Sequence, residues 1–148
     1  MTATAHALVG GAIAASTQNP FLGITLSALS HPILDMIPHW DFGWGWRGKT
    51  KLKLFIQASF DLILGLSLSY FIFGQGINPW YFLACILASI SWDIAEIPYW
   101  FLNWRFPPFS SIYNFQSSMQ GKTKTILMGI VTQVVTVSVF VFILQKVH

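Results

Sequence analysis

Charge is what this chain has least of. Only 9% of its 148 residues are Asp, Glu, Lys or Arg, against 54% hydrophobic residues. A soluble domain carries about 25% charged residues. With a mean hydropathy of +0.59, this excludes a disordered chain and argues against an ordinary soluble domain. Eight Lys and Arg give a net charge of +3, too little in so apolar a chain for a nucleic-acid binder. The single cysteine, Cys85, excludes an intrachain disulfide and a cysteine-based zinc site. It falls within an apolar stretch and reads as a packing residue. No repeat or low-complexity tract is visible, and the length suits one membrane domain over residues 1–148.

Apolar runs are what the chain has in abundance. Crossing a bilayer takes about 20 apolar residues, and residues 54–73, 79–102 and 126–144 are each of that order. The second opens on Asn78-Pro79, and proline at the first helical position loses no needed N–H. Its ends carry Trp80, Tyr81, Tyr99, Trp100 and Trp104, as interfacial aromatic belts predict. Two shorter apolar stretches come first. Residues 3–15 hold Gly10, Gly11, Ala14 and Ala15 at close-packing spacing. Residues 20–37 follow, opened by Asn19-Pro20. Together they read as a helical hairpin over 3–37. A signal peptide is the alternative for the first stretch, but no basic residue precedes its apolar run. The expected fold class is all-α: a polytopic membrane helix bundle with three long transmembrane helices plus the N-terminal hairpin, four to five membrane segments in all. Residues 103–124 read as a loop with a short interfacial helix near 110–120.

The basic residues set an expected orientation. Arg47, Lys49, Lys51 and Lys53 lie in the loop over 38–53, and Arg105, Lys122 and Lys124 lie between the second and third long helices. Residues 74–78 are uncharged. The positive-inside rule puts both basic loops in the cytoplasm. Lys146 is the one charge against this. The basic loop also suits attraction to anionic headgroups, so membrane lipid is the expected partner. The terminal His148 is assigned no role.

The five acids, Asp35, Asp41, Asp61, Asp93 and Glu96, sit in or beside these apolar segments. One acid at mid-bilayer costs roughly 2.5–3.5 kcal/mol on insertion scales, and several together rival a domain's whole stability. A cation, mutual hydrogen bonding or cavity water must offset that cost. At 1.5 Å per helical residue, Asp61 lies roughly 10 Å, Asp93 roughly 13 Å and Glu96 roughly 9 Å inside the cytoplasmic ends of their helices, with His31 roughly 10 Å in. His6 lies a few residues in from the N-terminus. These groups share one layer. Helical spacing also aligns them: His31 with Asp35, Gln57 with Asp61, and Asp93 with Glu96 and Ser89. Thr132, Gln133 and Thr136 put a polar stripe on the last helix.

The densest stretch is Ser30-His31-Pro32-Ile33-Leu34-Asp35-Met36-Ile37-Pro38-His39-Trp40-Asp41. His-x-x-x-Asp on a helix offers a nitrogen and an oxygen to one point, which suits zinc or another first-row divalent ion. Pro32 removes a backbone N–H beside His31, and broken helices in membranes are tolerated where they line a cavity. The candidate metal ligands are His6, His31, Asp35, His39, Asp41, Asp61 and Asp93. Asp93 and Glu96 are the candidate catalytic pair, Glu96 as a general base beside an acidified water. Arg47 is a candidate for holding an anionic substrate.

This arrangement resembles small members of the membrane-bound metal-dependent hydrolase family. The resemblance rests on the early His6 before a Gly/Ala-rich helix, the Ser-His-x-x-x-Asp-x-x-Pro-His-x-Asp motif at 30–41, the isolated Phe60-Asp61 and the later Asp93. It covers about the first hundred residues. It implies a metal-dependent hydrolase of a bacterial inner membrane; the expected cofactor is one or two zinc or manganese-like ions, and the expected location is a bacterial or archaeal cytoplasmic membrane. Larger members carry a His-Arg-Gly-x-Thr-His-Ser motif that this chain lacks. Small relatives tend to have His-x-x-x-Gln near the last loop, and here Gln116 stands where that His would be. Gln116 joins Arg47 as a candidate substrate-binding residue.

Three functions compete on sequence. The first is a membrane-embedded metal-dependent hydrolase facing the cytoplasmic leaflet, acting on a lipid phosphate or ester. The second is an ion or proton transporter lined by the same acids, which would need polar residues on the outer side, where 66–73 and 82–87 are nearly all apolar. The third is a non-enzymatic protein whose polar layer is structural or binds a partner.

Overall fold

The computed structural model describes residues 1–121, 123 and 125–146. Lys122, Lys124 and His148, named above, lie outside the described residues, as does Val147. Among the described residues there are seven α-helices and no strands. They are α1 (Ala3–Ser16), α2 (Pro20–Asp35), α3 (Lys51–Phe73), α4 (Pro79–Ser89), α5 (Ser91–Phe101), α6 (Phe109–Met119) and α7 (Ile126–Lys146), with one 3₁₀ turn at Trp46–Gly48.

Helix starts follow local chemistry. The side chains of Thr2, Asn19, Thr50 and Asn78 accept from the N–H groups of Ala5, Leu22, Lys53 and Tyr81, satisfying donors that a helix leaves orphaned. The short helix expected near 110–120 is α6, which also supplies a buried residue, Gln116.

Two helices, Lys51–Phe73 and Ile126–Leu144, are long and apolar enough to cross a membrane. Their surfaces carry exposed Phe55, Ile63, Phe71, Leu127, Val135 and Phe142, side chains that would face lipid. The helix expected over 79–102 is not continuous. It is α4 and α5, bent by 53°, and it counts as a third span only if the pair is taken as one. The expectation of three continuous long helices is corrected accordingly. The break falls at Ser89-Ile90-Ser91, where no proline or glycine announces it. Both serine hydroxyls donate to carbonyls three residues back, Ser89 to Ile86 and Ser91 to Ala88, each at 2.8 Å. Such back-bonding bends helices. The hairpin helices are short: 14 and 16 residues reach roughly 21 and 24 Å, less than the ~30 Å hydrocarbon core.

The hairpin is nevertheless central. Helix α1 is buried along most of its length and packs against α2, α3, α4 and α7. Ala7, Ala12 and Ala14 join Phe73, Phe82, Cys85 and Ile86 in one core cluster. Ala5, Val9 and Ile13 join Met1 and Leu34 in the other. Small residues permit this closeness, as they do between packed membrane helices. A Cβ on Gly10 would lie 2.6 Å from Ser89 Oγ, and one on Gly65 would lie 2.7 Å from Thr4 Cα. Ser69 Oγ donates to the Ala7 carbonyl at 2.8 Å and pins α3 to α1.

Candidate functional site

The polar residues of α1, α2, α5 and α6 converge. His6 and His31 are fully buried and stack with ring centroids 3.7 Å apart. Asp35, one turn after His31, is the hub. Its Oδ1 lies 3.2 Å from His6 Nε2 and 3.8 Å from His39 Nε2, and its Oδ2 lies 3.3 Å from His31 Nε2. The Met1 ammonium also pairs with Asp35. Asp93 Oδ1 stands 3.6 Å from His31 Nε2. His6, His31 and Asp93 each bring one ligand atom within 4.8 Å of the others, a group that could hold a metal ion.

The bend at Ile90 serves this cluster. His31 Nδ1 lies 2.6 Å from the Ser89 carbonyl. A carbonyl can only accept, so Nδ1 carries a proton and Nε2 is the nitrogen turned toward Asp35 and Asp93. A carbonyl holding the far nitrogen is the usual way a metal-binding imidazole is oriented. His39 repeats the pattern, with Nδ1 2.8 Å from the Ile37 carbonyl and Nε2 3.5 Å from Asp41 Oδ2. Burial pushes the Asp41 carboxyl up, but the His39 hydrogen bond together with the positive charges of the N-terminal ammonium and His39 outweighs it, and the group stays below its ordinary value.

The donor set suits a first-row divalent ion. Ligands about 2.1 Å from a tetrahedral ion stand roughly 3.4 Å apart. The His31–Asp93 pair is near that spacing, and the widest separation in the group needs to close by up to about 1.4 Å. Two buried atoms here lack a hydrogen-bond partner, His6 Nδ1 and Gln116 Oε1. Gln116 Nε2 donates to Asp93 Oδ1 at 3.1 Å and lies 3.4 Å from His31 Nε2.

The remaining sequence candidates are dispersed around this centre. Asp61 does not contribute to the His6–His31–Asp93 group. Its carboxylate accepts from Ala3 N at 2.7 Å, Thr4 N at 3.1 Å and Thr4 Oγ1 at 2.7 Å, so both oxygens serve the start of α1. An anion at a helix N-terminus meets the positive end of its dipole, so Asp61 caps α1, and it also lines the cavity that Asp93 and Glu96 share. Glu96 accepts from Trp100 Nε1 at 2.8 Å and lines a cavity of about 210 Å³ together with Asp93, Asp41 and Gln116. Arg47 is not part of the His6–His31–Asp93 group; it lies over the Trp46 ring on a second cavity of about 470 Å³, which His39 also lines. Gln116, expected to touch substrate, is buried within the cluster and lines the cavity beside Asp93. Of the α7 stripe, Gln133 Oε1 accepts from Thr2 N at 3.1 Å, and Thr132 donates to the Pro38 carbonyl.

Sequence reasoning missed the Ser89 carbonyl, which no side-chain pattern reveals, and Trp100, which only its four-residue spacing from Glu96 could have flagged. No protein-family profile, curated protein or solved structure matches this chain.

Proposed function

We propose that the protein is a membrane-embedded, metal-dependent hydrolase, its basic loop on the cytoplasmic side and the helices forming a polytopic bundle. One observation carries the reading: Asp93, which groups with the buried His6 and His31, lines a cavity that also holds Glu96, one helical turn away. Structural metal sites are closed, and catalytic ones keep an open position. A divalent ion of the zinc or manganese type, one or two of them, would supply Lewis acidity and a water acidified to near neutral pH.

The chain's own residues then have distinct tasks. His6, His31 and Asp93 bind, Asp35 holds both imidazoles in place, and Glu96 takes a proton from the attacking water. The water oxygen bonds to the phosphorus or acyl carbon as the ester bond breaks, and the proton passes to the leaving alcohol. Trp100 Nε1 fixes the Glu96 carboxylate. A structural reading has one observation of its own: Asp35 is already satisfied by the Met1 ammonium and two imidazoles.

Elemental mass spectrometry decides between them, on detergent-purified protein prepared without chelator or His-tag, beside Asp35→Asn and Asp93→Asn. The expected result is one or two equivalents of a first-row metal in the wild type, lost in both variants. Wild type without metal even after reloading leaves the structural reading.

A further inference from the structure

The two cavities differ in character and share part of their lining. The smaller runs between α3 and α5, walled by Ala58, Leu62, Ile94 and Ile97. Ile94 and Ile97 are 46% and 48% exposed, so the crevice opens sideways on the apolar, outward-facing surface of the bundle. Its volume of about 210 Å³ equals about seven waters at ~30 Å³ each. Lys51 Nζ donates to the Phe101 carbonyl at 2.8 Å, closing α3 on α5 at the loop end, with the crevice beneath. The larger cavity, about 470 Å³, falls within the roughly 300–1,000 Å³ of small-molecule sites. Its wall includes Trp46, Arg47, Trp100 and Tyr113. Asp41, Gly43, Glu96, Trp100 and Gln120 line both cavities.

We infer that the two cavities form one binding site for a phospholipid, with an acyl chain in the α3–α5 crevice and the headgroup phosphate at Arg47. The inference rests on the hydrolase reading and names its substrate class. Three observations point to this occupant. An apolar slot open on the outward-facing surface, with a more polar chamber sharing its wall, matches an amphiphile. The shared wall includes Glu96 and Trp100, beside Asp93, so a lipid spanning both compartments would lay its ester linkages next to the candidate metal group. Charge assigns the phosphate end. Of the loop's cations, Lys49 Nζ already donates to the Phe42 carbonyl and Gln57, and Lys51 to Phe101. Arg47 has no carboxylate partner among the described residues, and its planar guanidinium suits phosphate. The two carboxylates on the same wall are engaged: Glu96 with Trp100, and Asp41 3.5 Å from His39.

Native mass spectrometry and quenching of tryptophan by brominated acyl chains would test this on the full chain in detergent. The probes are dioctanoyl phosphatidate, dioctanoylglycerol and inorganic phosphate, with metal content measured on each sample. The wild type should bind one phosphatidate saturably, about tenfold or more tighter than either partial probe, as one charge-assisted hydrogen bond or a few buried methylenes predict. Arg47→Ala should erase the preference over dioctanoylglycerol and leave chain binding intact. Ala58→Phe, on an exposed helix face, should fill the crevice and erase the preference over inorganic phosphate. Equal binding of phosphatidate and dioctanoylglycerol by metal-loaded wild type, or preferences that survive both variants, would overturn the site and leave the metal centre standing. The expected preferences in a protein that takes up no metal would support the lipid site and remove the hydrolase reading.

Discussion

Asp61 offers the sharpest perturbation, because depth alone makes it a metal ligand and the tertiary structure makes it a helix cap. Its carboxylate takes the first two N–H groups of α1, Ala3 at 2.7 Å and Thr4 at 3.1 Å, and the Thr4 hydroxyl at 2.7 Å. Hydrogen bonds to a charged partner contribute about 1.5–3 kcal/mol each. Asp61→Ala removes both backbone bonds, so its expected cost is roughly 3–6 kcal/mol by that scale. Asp61→Asn keeps one oxygen and loses the charge. One bond plus about 0.3–1 kcal/mol of helix-dipole interaction gives an expected cost of roughly 2–4 kcal/mol. The assay is reversible unfolding in mixed micelles of increasing denaturing detergent, paired with metal content. Both variants should unfold earlier in that order, and the folded fraction should keep its metal. The reasoning fails if Asp61→Asn stays within about 0.5 kcal/mol of wild type, the scatter of neutral changes. It fails equally if that variant loses metal at unchanged stability.

Two further outcomes follow from the same geometry. Glu96→Gln should retain metal and fold while lowering turnover by about 10²–10⁴-fold, the usual worth of a general base; a loss below tenfold on any hydrolysed ester would remove Glu96 from that role. Gly10→Ala places a Cβ 2.6 Å from Ser89 Oγ and 3.1 Å from the Cys85 carbonyl, so overpacking of about 1–3 kcal/mol should exceed the ~1 kcal/mol helix gain, and adding Ser89→Gly should recover part of it in the same unfolding assay.

Much of this molecule was written locally. Asn19-Pro20, Thr50 and Asn78-Pro79 mark helix starts because capping acts within three or four residues. The four-residue spacing of His31 and Asp35 put both on one face before any partner was known. The length and hydropathy of 54–73 and 126–144 announced helices able to cross a bilayer. Other features depend on what lies opposite in space. The bend at Ile90 carries no proline or glycine, and it is stabilised by serine back-bonds and by His31 from another helix. Asp61 and Asp93 look alike in sequence, each an acid inside an apolar helix. One meets the amides that start α1 and the other meets an imidazole. Gln116 is 85 residues from His31, and only the return of α6 under α5 places it in the cluster. Propensity and periodicity decide which elements form and which face is polar. Which polar groups meet is decided by packing, because a buried charge or amide takes its role from whichever donors and acceptors the fold sets within about 3 Å of it.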